Sequence, residues 1–91
     1  MQTEILMANG NYIEQDENVS LNEAREIVGG DVQVIKLKTF PTSSRKTGKL
    51  LINVGTIDGL DINEYPLNIW ATLIAGYGIQ GNAILVDGRR W

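Results

Sequence analysis

Histidine and cysteine are both missing from the 91 residues of this chain, proline occurs twice, and there is a single phenylalanine beside two tryptophans and three tyrosines. Each shortage removes a class of chemistry. Without histidine there is no imidazole base poised near neutral pH. Without cysteine there is no thiolate nucleophile, disulfide or iron–sulfur ligation, and the two absences together exclude an ordinary zinc site. Acid–base or nucleophilic work is left to carboxylates, lysines and hydroxyls, which need strong environmental tuning to act near neutral pH. The sequence therefore reads as a non-enzyme with no cofactor and no metal. No apolar run approaches the roughly 20 residues that span a bilayer, and the short apolar patch Ile5-Leu6-Met7 follows Glu4 rather than the basic lead of a secretory signal. A soluble, cytoplasmic protein that does not enter membranes is expected.

What is present fits one ordinary soluble domain over residues 1–91, with 43% hydrophobic and 21% charged residues. A chain of this size has little core to spare, and with no disulfide or metal to staple it, self-association into a two-fold dimer is the expected remedy. The net charge of −3 hides a division. Residues 1–31 hold seven acids (Glu4, Glu14, Asp16, Glu17, Glu23, Glu26, Asp31) against Arg25, whereas residues 32–49 hold Lys36, Lys38, Arg45, Lys46 and Lys49 with no acid. An acidic end and a basic middle thus share one small surface.

Local patterns supply the elements. Ile5-Leu6-Met7 and Tyr12-Ile13 flank Asn9-Gly10-Asn11, whose Asn-Gly pair favours the positive φ angles of a tight hairpin turn. Ser20-Leu21-Asn22-Glu23 is a capping box, and Leu21, Ala24, Ile27 and Val28 continue it as an apolar stripe that Gly29-Gly30 stops. Asp31–Leu37 reads as a strand with Val32, Val34 and Lys36 on one side and Gln33, Ile35 and Leu37 on the other. The polar run Lys38–Gly48 then leads to a second strand, Lys49–Val54, as a long hairpin. Gly55–Glu64 is irregular, with Ile57, Leu60 and Ile62 spaced to pin it to the core. Pro66 suits a helix start, so a helix begins near Leu67 or Asn68, with Leu67, Trp70 or Ala71, and Ile74 on one face, and ends at Gly76. Ala83–Val86, a short apolar run between glycines, reads as a strand buried on both faces. The order β-β-α-β-β-α-β makes an α+β fold, a mostly antiparallel sheet with two short helices on one face.

Taken together, Val28-Gly29-Gly30, Val32-Gln33-Val34-Ile35, Asn53, the run Tyr65–Gly76 with Pro66-Leu67-Asn68 and Ala71-Thr72, and Gly81-Asn82 before the last strand resemble a family of small proteins of phages, plasmids and integrative elements, catalogued as a domain of unknown function and often found near antirestriction genes. The resemblance spans roughly residues 20–88. It implies a mobile-element protein acting in a bacterial host and no defined activity. Ile69-Trp70 departs from the polar or basic residues expected there, and adds an apolar contact surface if exposed.

Several stretches are candidate contacts. Ser43-Ser44-Arg45-Lys46-Thr47-Gly48-Lys49 gathers hydroxyls and three cations that suit an anion, although it lacks the leading glycine and following helix of a P-loop; the plainer account is a solvated hairpin loop. Asn68 is either a helix cap or a ligand contact. Arg89, Arg90 and Trp91 are of the types enriched at protein interfaces, and Ile69 and Trp70 are candidate contacts as apolar surface. Asp58, Asp61 and Glu64 lack the spacing of a calcium loop and read as turn residues. Direct DNA binding is not expected of a chain with net charge −3. The function expected is binding and inhibition of a host protein, such as a defence component. An anionic nucleotide held by Arg45, Lys46 and Lys49, or by Arg89 and Arg90, is the alternative; an Asp- or Lys-dependent enzyme ranks third.

Overall fold

The computed structural model describes residues 3–37, 48–53 and 66–87. They form five strands and two helices in the order β1 (Thr3–Leu6), β2 (Tyr12–Gln15), α1 (Leu21–Val28), β3 (Val32–Lys36), β4 (Gly48–Asn53), α2 (Ile69–Ala75) and β5 (Ala83–Asp87). All strand pairs are antiparallel and the sheet runs β2-β1-β5-β4-β3. The α+β class, the element order and the antiparallel sheet are those the sequence leads one to expect.

The first hairpin turns differently from the tight Asn-Gly turn expected. The Gly10 N–H donates to the Met7 carbonyl (3.0 Å) and the Met7 N–H to that of Asn11 (2.8 Å), leaving Ala8-Asn9-Gly10 as a three-residue loop. Gly10 alone of the three has positive φ, +94°. A three-residue loop places the left-handed residue last, where glycine takes it without strain.

In α1 the capping box is complete. The Glu23 N–H donates to Ser20 Oγ (3.1 Å), and the Ser20 N–H to Glu23 Oε1 (3.3 Å). Val19, just before the cap, and Ala24, in the first turn, are both buried in one cluster, so the entry of the chain is pinned as well as capped.

The expectation of two helices on one face is corrected by the packing. Side chains alternate along a strand, and the two faces of the sheet carry separate cores. Ile5, Leu51, Ile84 and Val86 pack with Val19, Ala24 and Val28 on the α1 side. Leu6, Leu50, Ile52, Ala83 and Leu85 pack with Ala71 and Ile79 on the other. The reason lies in the apolar runs of β4 and β5. A strand with no polar side needs cover above and below, and helices on one face would leave Leu50, Ile52, Ala83 and Leu85 open to water.

Asparagines tie these layers together. Asn53 Nδ2 donates to the Val28 carbonyl at the end of α1 (3.2 Å). Asn82 accepts from the Ala8 N–H (2.9 Å) and donates to the Ile27 carbonyl (3.1 Å), joining the first hairpin to α1.

Candidate functional site

The segment before α2 and the segment after it run side by side. The Asn68 N–H donates to the Ile79 carbonyl (2.7 Å) and the Gly81 N–H to that of Pro66 (2.9 Å), with a bridge between Leu67 and Gln80. Gly76, at φ +84°, ends the helix in the left-handed region that suits glycine. The Ile79 N–H then donates to Thr72 Oγ1 (3.0 Å), which draws the returning chain against the helix. Residues 66–81 are thus a closed loop with a helix inside it.

Asn68 fastens this loop to the sheet. It is wholly buried. Its Oδ1 accepts from the Ala71 N–H (3.0 Å), capping α2, and its Nδ2 donates to the carbonyls of Leu6 (2.9 Å) and Gly81 (2.8 Å). Both amide hydrogens and the cap acceptor are committed inside the protein. Asn68 is therefore a structural clamp and is removed from the candidate ligand contacts.

The inward face of α2 is small: Ala71 is buried, with Ile74 and Ala75 packed beside it. The outward face is large and apolar. Ile69 is 61% exposed and Leu73, one turn later, 73%; Leu67, Trp70 and Tyr77 are also open. Trp70 is positioned from outside the helix. Its Nε1–H donates to the Gly10 carbonyl at the tip of the first hairpin (2.6 Å), and its ring meets that of Tyr12 edge-on, with centroids 5.7 Å apart at 71°. The hairpin thereby extends the apolar ledge past the end of the helix. From Tyr65 to Val86 the sequence has no Asp, Glu, Lys or Arg, so nothing charged interrupts the ledge along α2. Ile69 and Trp70 lie within it.

The basic candidates fall elsewhere. Lys49 of β4 stands directly opposite Lys36 of β3. The neighbouring pair, Leu37 and Gly48, is hydrogen-bonded (2.9 Å), so Lys36 and Lys49 occupy the alternate, non-hydrogen-bonded position, where facing side chains come closest. With Leu37 and Gly48 they line a shallow cleft of about 280 Å³. The next residues in the same row of the sheet are Val86 and Thr3, both uncharged. Arg45, Lys46, Arg89, Arg90 and Trp91 lie outside the described residues, as do the candidate turn acids Asp58, Asp61 and Glu64.

Two features escape a reading by sequence pattern. Glu4 is 8% exposed in the second strand of the sheet and faces Glu14 across the β1–β2 pair. Burial first, and then the Glu14 carboxylate, raise its pKa above the ordinary value. The hairpin register, once fixed, is the signal that places these two acids opposite each other. Thr3, on the other face, is completely buried and its Oγ1 has no hydrogen-bond partner. Among the described residues no three His, Cys, Asp or Glu side chains gather as a metal site, and no helix is long and apolar enough to cross a membrane.

Comparison of the chain with protein families, with curated proteins and with solved structures gives no match.

Proposed function

We propose that the protein is a non-enzymatic binding module that acts by seating the α2 ledge on another protein. The observation that carries this reading is the ledge itself: a helix apolar on its outward as well as its inward side, extended by Tyr12 and Trp70. Contiguous exposed apolar surface of this kind marks protein contact sites, and aromatic residues without charge are what the centre of such contacts holds. The sequence's resemblance to mobile-element proteins supports a bacterial host factor as the target, bound and inhibited in the cytoplasm. The residue types left to the chain, without histidine or cysteine, support a role without catalysis, and the buried Asn53 and Asn68 hold the fold together.

Immobilised protein and its Leu73→Asp variant, each incubated with host lysate, test the reading. The unaltered chain is expected to retain one protein at near-equal yield and the variant to lose it. Equal capture by both, or capture by neither, removes the proposal.

The facing lysines favour a second reading, an anion-binding protein. Like charges directly opposite each other on a sheet are destabilising, and an anion between Lys36 and Lys49 would relieve the repulsion. A nucleotide at 100 times its Kd should stabilise the fold by about 2.7 kcal/mol. A nucleotide panel that shifts the melting of the unaltered chain but not of Lys36→Gln with Lys49→Gln supports it; no shift across the panel removes it.

A further inference from the structure

Resting on the reading of the α2 ledge as a contact surface, we infer that in the free protein this face is covered by the same face of a second copy. Three observations converge on self-pairing. First, Tyr12, Leu67, Ile69, Trp70, Leu73 and Tyr77 together leave roughly 500–800 Å² of residue surface open, taking about 150–250 Å² for each fully exposed residue. That is close to the about 800 Å² each partner contributes to a standard interface. Second, a two-fold contact sets residues near its axis against their own copies, so a charge in the patch would meet a like charge. The 65–86 stretch contains none. Third, the chain has 91 residues and no disulfide, and a small fold gains most from surface buried between copies.

The helix geometry specifies the seating. Ile69 and Leu73 are four residues apart and lie on one ridge of α2. In an isologous contact residue i meets j while j meets i, so an antiparallel pair of α2 helices sets Ile69 of each copy against Leu73 of the other. Trp70 and Tyr12 then close the two ends of the seam. Because this contact is apolar while the whole chain carries −3, screening by salt removes only repulsion. A contact with a host protein through the same ledge excludes the second copy, so target and self-pairing compete.

Light scattering on the full chain at tens of micromolar reads the outcome. Expected is about twice the 10.0 kDa chain mass, holding or rising as salt is added. Leu73→Asp and Ile69→Lys should each give the single mass with an unchanged circular dichroism spectrum. Mixing the two variants should restore the double mass, because one side of the seam keeps its Ile–Leu contact and the other gains an Asp–Lys pair. A single mass for the unaltered chain overturns the pairing, and leaves the contact reading standing if lysate capture still depends on Leu73. A double mass that survives both substitutions, or dissolves in salt, places the seam away from α2. Variants that stay monomeric when mixed overturn the Ile69–Leu73 seating.

Discussion

Towards water, α1 presents Asn22, Glu23, Arg25 and Glu26 with Leu21 half open at its start, while α2 presents Ile69, Trp70 and Leu73. The means of attachment differ as much. A local cap at an exposed serine opens α1, and Ala24 and Val28 fasten it to the sheet. A buried asparagine opens α2, with hydrogen bonds to Leu6 and Gly81 that fasten it from one end. One helix turns mainly charge outward, with Leu21 its one widely open apolar side chain. The other has a completed anchor and an uncompleted surface, which is the difference between a helix that only builds a fold and one that also offers a contact.

Substitutions sharpen this contrast, and the anchors should differ most. Asn68→Ala removes the cap and strands two buried carbonyls; a cost of about 3 kcal/mol is expected from a buried cap and two lost hydrogen bonds, read as a lower midpoint in urea. Ser20→Ala removes only an exposed cap and should cost about 1 kcal/mol. If the two costs came out equal, the clamp would be no more than a cap.

Each face of the sheet also has a flaw whose repair should stabilise. Thr3→Val, on the α1 side, replaces an unpaired buried hydroxyl with a methyl group of similar shape; about 1 kcal/mol of added stability is expected. Glu4→Gln, on the α2 side, should add about 0.5 kcal/mol near neutral pH by removing a carboxylate that is buried and that also faces Glu14. The sign follows from linkage. Glu4 has a higher pKa folded than unfolded, so between those two values the native state binds more protons. Its contribution is fully present below the unfolded pKa and is lost as pH rises through the folded one. The gain from Glu4→Gln should therefore shrink as the pH is lowered to about 4, and a gain independent of pH would count against the raised pKa of Glu4.

The smallest effect on stability should come from Leu73→Asp. The side chain is 73% exposed, and exposed substitutions shift the folding of a single chain by less than about 0.5 kcal/mol. Measured at high dilution, a larger loss would mean that Leu73 belongs to the core.

How far the sequence could be read depended on the range of each interaction. The capping box of α1 is legible because Ser20 and Glu23 are three residues apart. The cap at Asn68 is legible for the same reason, but its donation to Leu6 crosses 62 positions of sequence and leaves no local trace. The apolar character of β4 and β5 signalled burial on both faces, yet the pattern within a helix does not say which face it takes. Glycine at position 10 announced a turn; the loop length, fixed by the pairing of Leu6 with Tyr12, determined its type. Ile69 and Trp70 were conspicuous in sequence, whereas the hydrogen bond that steadies Trp70 comes from a hairpin 60 residues away. The stretches Pro66-Leu67-Asn68 and Gly81-Asn82 carry the clamp and the ties between layers. They describe how the chain folds.

β5 is the middle strand of the sheet and is also the last of the described strands to be synthesised. A nascent chain stopped short of Ala83 holds the β1–β2 hairpin and the β3–β4 hairpin with nothing between them, and neither two-stranded unit is stable alone in water. Both cores wait on the same five residues. Both halves of the sheet are therefore expected to reach their final pairing only once β5 slots between β1 and β4.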